Sequence, residues 1–177
     1  MQNSRLCWIC QTNIADTSEH ALKKTDIIRV YGKGSYHKLR QKQPIHFKNG
    51  TQTKLQGANS DVIKNPKDLC KVCNNTLTQP YDRAYDRFIE YIINHNDLIL
   101  ERRFIDFEEI YGKDFPTQQT NLFKYFIKSF GCRIYANPDF KVPTDIIEII
   151  RSDLAYFTTG LKITMSVNKE IINQCGR

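Results

Sequence analysis

The chain lacks any apolar run long enough to cross a bilayer, although 40% of its residues are hydrophobic. It opens on polar residues and reaches a cysteine pair by Cys7, so no export leader is expected. It has no internal repeat and no low-complexity tract, which argues against a repeat array and against a biased linker. With neither leader nor span, the expected compartment is the cytoplasm, and a membrane partner is not expected. The cysteines should then stay reduced, which makes metal a better use for them than disulfides. Acid is also scarce in one stretch. Residues 21–71 hold 12 Lys and Arg against 3 Asp and Glu, a local net of +9 in a chain whose total is +7. Such a stretch faces an anion or solvent, and its sharp local asymmetry favours the anion.

What is present suits a folded chain. Its 177 residues, with ten Phe and nine Tyr, are enough for one domain, or for a small module and a larger partner. Four of the six cysteines form two C-x-x-C knuckles, Cys7-Trp8-Ile9-Cys10 and Cys70-Lys71-Val72-Cys73. Each knuckle turn presents two sulfurs to one side, so Cys7, Cys10, Cys70 and Cys73 together suit a closed tetrahedral structural zinc site. Chance pairs or a redox dithiol are the competing reading. Trp8 and Ile9, inside the first turn, are expected to pack the metal module onto its neighbour. Cys132 and Cys175 stand alone and read as inert thiols.

Between the knuckles, Asp16, Thr17 and Ser18 read as turn formers leading to Glu19-His20. A short helix is expected over 25–32, with Thr25 as its cap and Gly32 closing it. Residues 44–48 and 51–55 read as a basic β-hairpin about the Asn49-Gly50 turn. That ribbon could lie along a phosphate backbone or be a solvated sheet face. After the second knuckle, Thr78, Gln79 and Pro80 start a helix with its apolar stripe on Tyr81, Tyr85, Phe88, Ile89, Ile92 and Ile93. From Leu98 the composition is that of a helical region. One helix face runs from Leu122 to Phe130 and ends at Gly131, another spans 144–154, and a strand is expected near 161–167. A soft boundary falls near 97–103, dividing the chain into 1–97 and 98–177.

The two knuckles, Glu19-His20 after the first, and Cys73-Asn74-Asn75 closing the second resemble the HNH endonucleases, the ββα-metal nucleases. The resemblance covers about residues 5–96. It implies an α+β fold: a zinc-stabilised ββα-metal module with the basic hairpin inserted, followed by a mainly helical region. It implies His20 as the general base that activates water and Glu19 as a ligand of a catalytic divalent ion. Asn74 takes the place of the final His and would hold the ion with Glu19, and Asn65, five before Cys70, would pin the loop that orients His20. Asn75 competes for the role of Asn74, and any of the three reads equally as a capping residue. Asp82, on the following helix, is a further candidate ligand and Asp86 a lesser one, although acids in a first turn also simply complement the helix dipole. The implied ions are structural zinc and catalytic magnesium or manganese, with nickel a further candidate.

The implied partner is nucleic acid, double-stranded DNA before RNA. Lys23, Lys24, Arg29, Lys33, Lys38, Arg40, Lys48 and Lys54 form the expected phosphate-contacting strip. No element shows base-reading specificity. Residues 98–177 carry no recognised motif and would complete the core, meet a protein partner or dimerise. Small stand-alone relatives belong to phage, mobile elements or bacterial defence. The competing function is a non-catalytic zinc module that binds nucleic acid or protein.

Overall fold

The knuckles are far apart in sequence, and an extended pairing brings them together. The computed structural model describes residues 5–48, 50–153 and 162–164. In it, residues 17–21 run antiparallel to residues 63–69. The Thr17 amide donates to the Leu69 carbonyl (2.9 Å), Asn65 to Glu19 (2.8 Å) and Ala21 to Ile63 (2.8 Å). Thr17 and Ser18, expected in a turn, are thus extended. These backbone bonds hold Glu19-His20 against the segment that leads into the second knuckle.

Residues 22–62 leave this pairing as an arm. It contains helix α1 (Lys24–Tyr31), a 3-10 turn (Tyr36–Lys42) and a hairpin of β1 (Ile45–Lys48) and β2 (Thr51–Lys54), in the register Ile45 to Lys54. Gly32 closes α1 with φ +80°, a conformation glycine adopts at little cost. Thr25 does not cap α1. Lys23 holds the cap position, and the Thr25 hydroxyl donates to Asp86 instead (3.1 Å). The arm has a small core of its own, made by Ile27, Tyr36, Leu55, Ala58 and Ile63. Ile45 and Phe47, on one face of the hairpin, remain exposed.

The second knuckle runs directly into a π-helical turn (Cys73–Leu77) and then α2 (Gln79–Asn94), with Pro80 in its first turn as expected. Tyr81, Ala84 and Phe88 form the buried side of α2, while Ile93, at the end of the expected stripe, is exposed. Then follow α3 (Asn96–Arg102), α4 (Phe107–Tyr111), α5 (Phe115–Ala136) and α6 (Thr144–Arg151). The Asp106 carboxylate caps α4 by accepting from the Glu108 amide (2.8 Å).

One core spans both parts of the chain. Cys7, Trp8, Ile9, Leu69, Cys70 and Cys73 are buried with Tyr81 of α2, Tyr125, Ile127 and Cys132 of α5, and Ile146, Ile147, Ile149 and Ile150 of α6. The soft boundary near 97–103 falls just after the break between α2 and α3 at His95, and this core crosses it. A second cluster joins Ala84 and Phe88 to Ile110, Tyr111 and Leu122.

Gly131 does not end the helix. α5 continues to Ala136, because this glycine supplies space rather than a break: a Cβ there would lie 2.5 Å from the Trp8 ring. The strand expected over 161–167 and Cys175 lie outside the described residues, except that 162–164 have no regular structure. The described chain is therefore mostly helical with a two-stranded sheet, a mixed α and β composition. Among the described residues, no helix is long and apolar enough to cross a membrane.

Candidate functional site

The cysteine cluster forms as the spacing requires. The sulfurs of Cys7, Cys10, Cys70 and Cys73 all lie within 4.8 Å of one another, and none of these cysteines is in a disulfide. The Cys10 and Cys70 sulfurs are 3.9 Å apart. A tetrahedral zinc with Zn–S bonds of about 2.3 Å puts its sulfurs about 3.8 Å apart, so the four donors fit a metal ion such as zinc. Amides point at the sulfurs: Asn13 donates from its backbone to Cys10 (3.5 Å) and from its side chain to Cys70 (3.7 Å), and the Cys73 amide donates to Cys70 (3.5 Å). Burial would raise the Cys10 thiol, yet hydrogen bonds from Thr12 and Asn13 bring it down to about 6, whereas burial pushes the Cys7 and Cys73 thiols up, so a bound cation would be needed to hold all four as thiolates. The amide donors are the orienting outer shell that metal thiolates use.

Beside the cluster lies a second assembly, built on Glu19. Its carboxylate turns toward α2 and α5, where the Lys128 ammonium is 3.5 Å from Glu19 Oε1 and 3.0 Å from both carboxylate oxygens of Asp82. Lys128 is fully buried, whereas the side chains of Glu19 and Asp82 keep 18% and 26% exposure; the pair has one cation behind it, and a second, Lys23, lies 3.4 Å from Asp82. Burial pushes the Glu19 carboxyl up; Lys128 pulls it back, and the neighbouring Asp82 adds to the rise. Burial opposes charge on Lys128, but the two carboxylates outweigh it and hold the ammonium above its ordinary value. Asp68, wholly buried, fixes the backbone here by accepting from the Glu19 amide (3.1 Å). Its second oxygen and the Trp8 indole N–H are buried without a close hydrogen bond, and the Cys132 thiol is a neighbour of both side chains. Burial raises the Cys132 thiol far above its usual value, in keeping with an inert thiol.

His20 faces other neighbours. Asn59 is its side-chain neighbour, and the charges that act on it are those of Lys64, Lys24 and Asp61. Burial, then the ammonium of Lys64, depress its pKa, so the neutral imidazole is favoured. Its Nε2 is buried and has no hydrogen-bond partner among the described residues. Asn74 donates from its amide to the Thr17 hydroxyl (3.2 Å), two residues before Glu19 on the same extended segment. Asn65 holds the Glu19 carbonyl through its backbone amide, and the side-chain partner of His20 is Asn59 rather than Asn65. Glu19 and Asp82 thus meet, whereas His20 and Asn74 have separate partners.

The basic strip divides. Lys23 is an internal residue: its ammonium lies 3.4 Å from Asp82 and 3.1 Å from Asp86, over the rings of Tyr85 and Tyr125. Arg29 pairs with Asp26 (2.6 Å) and Asp86 (3.5 Å). These two cations dock the arm onto α2, and the acids they meet neutralise them. Asp86 therefore serves the arm. Lys24, Lys33, Lys38, Arg40 and Lys54 remain exposed; Lys48 lies on β1.

Sequence reasoning missed Lys128, Asp68 and Asn59. Lys128 had a legible signal: with Leu122, Tyr125, Cys132 and Tyr135 it occupies the buried stripe of α5, and a lysine there requires an acid partner. Scans against protein families, curated proteins and solved structures find no match for the chain.

Proposed function

We propose that the chain is a metal-dependent endonuclease of the HNH type, hydrolysing phosphodiester bonds in nucleic acid, with DNA the expected substrate. The observation that carries this reading is His20, which follows Glu19 on a segment paired with the approach to the second knuckle and whose depressed pKa favours the neutral imidazole that can accept a proton. Its place on an extended segment paired with the approach to the second knuckle, in front of a helix, suits a ββα arrangement with the cysteine cluster as its clamp.

Two carboxylates that already converge on one ammonium offer hard oxygen donors, which fit magnesium or manganese. Glu19 and Asp82 would hold the ion, with Asn74 adjacent through Thr17, and the bound ion would offset charge growing on the scissile phosphate. The chain's own groups do the rest. In this reading His20 is the base for the attacking water, Asn59 is its side-chain neighbour, and the exposed lysines and arginine of the arm attract the phosphate backbone.

The test is plasmid nicking in magnesium or manganese by the intact chain and by a His20→Ala protein of equal zinc content. Nicking by the intact chain alone supports the reading, and equal nicking by both removes His20 from the mechanism. The second reading is a zinc-stabilised module that binds nucleic acid or protein without cutting. It is favoured by the contact of Lys128 with the very carboxylates an ion would need and by the separate environments of Glu19 and His20. Binding without nicking in any divalent metal would support it.

A further inference from the structure

Among the described residues, Lys128 is the largest fully buried charged side chain, and it lies behind the two carboxylates of the candidate ion site. The surrounding ion pairs join four acids, Glu19, Asp26, Asp82 and Asp86, to three bases, Lys23, Arg29 and Lys128, so the group as a whole carries about one negative charge. A divalent cation gains little from one negative charge and more from two, the more so away from water. We propose that Lys128 is the internal counter-ion of Glu19 and Asp82, holding the two carboxylates together in advance and lowering the affinity with which a divalent ion binds them. The proposal rests on the nuclease reading for the location of the ion, but not for the chemistry performed there.

The geometry separates this role from simple packing. Asp82 grips the ammonium with both oxygens, and Glu19 reaches it with one. Without that ammonium, the two carboxylates would be left with Lys23, which lies 3.4 Å from Asp82 and is shared with Asp86, and a divalent ion from solvent would meet more negative charge. The fit is also selective. A lysine stem lies along the apolar stripe of α5, with its ammonium 5.6 Å from the centre of the Tyr125 ring, and methionine fills the same volume without the charge.

The experiment measures Mn2+ binding by paramagnetic resonance of the free ion, on full-length, zinc-loaded chain. Lys128→Met is expected to lower the Mn2+ dissociation constant at least tenfold, and adding Glu19→Gln should abolish the gain. Equal or weaker Mn2+ binding by Lys128→Met at unchanged zinc content overturns the proposal. If Lys128→Met folds poorly, Lys128→Met/Asp82→Asn, which removes one charge of each sign, is compared with Asp82→Asn: tighter binding by the double variant supports the proposal, and equal or weaker binding overturns it. The two readings fail separately. Tightening in a protein that never nicks DNA leaves the counter-ion standing and removes the nuclease. Glu19-dependent nicking without tightening does the reverse.

Discussion

Trp8, inside the first knuckle, lies against Gly131 of α5, with its ring where a Cβ would stand, 2.5 to 3.1 Å away. The metal knuckle and the longest helix therefore share one contact, made possible by a missing side chain. Gly131→Ala should destabilise the chain by about 1–3 kcal/mol, because the ring must shift in a packed core. Trp8 is the only tryptophan, so its emission reports the site directly. An unchanged denaturation midpoint and emission maximum would show that the ring is free to move.

Metal removal should unfold more than the knuckles. Their cysteines belong to the same buried cluster as Tyr125, Ile147 and Ile150. A strong chelator, or Cys70→Ser, is expected to lose zinc and much of the α5–α6 helical signal in a single transition, since ligand binding and folding are one equilibrium in such sites. Zinc release with the helical circular dichroism intact would contradict this coupling.

The arm should come loose from α2 when Asp86 is removed. Thr25, Lys23 and Arg29 all reach this one carboxylate. The pairs are partly exposed, so Asp86→Ala should cost only about 1 kcal/mol in global stability. Cleavage by trypsin within residues 24–62 should nevertheless quicken severalfold, because the arm's own core of Ile27, Tyr36 and Leu55 is small. Unchanged proteolysis there would mean that the arm's core, with Lys23 on Asp82 and Tyr85 on Asp26, holds it without Asp86.

His20 sets the expected pH dependence. Its pKa in the folded chain lies below the ordinary 6.5, with burial first and Lys64 second as causes. Folding thus favours the neutral ring. The stabilisation is present above about pH 6.5 and is lost as pH falls through the lower folded value. Nicking, as a function of neutral His20, should decline on the acid side with a midpoint below 6.5 and be flat from there to neutrality. A midpoint above 6.5 would point to a different base.

The sequence by itself determined the features that depend on short spacing. The two knuckles, the hairpin about Asn49-Gly50, the Pro80 start of α2 and the start of α6 at Thr144 follow from residues within a few positions of one another, where turn chemistry and apolar period act directly. The grouping of the four sulfurs is the expected use of two such pairs, but the pairing of residues 17–21 with 63–69 brings them together. Tertiary structure decided which charges face one another. Lys23 read as a phosphate contact and became an internal ion pair, because its partners, Asp82 and Asp86, lie on a helix some sixty residues away. Gly131 read as a helix end and became the seat of Trp8. Glu19 and His20 are neighbours in the chain, yet they turn to different surroundings: Lys128 and Asp82 for one, Asn59 and Lys64 for the other. An extended backbone sends successive side chains to opposite faces, and only the packing of α2 and α5 on one side and the arm on the other determines what each face meets.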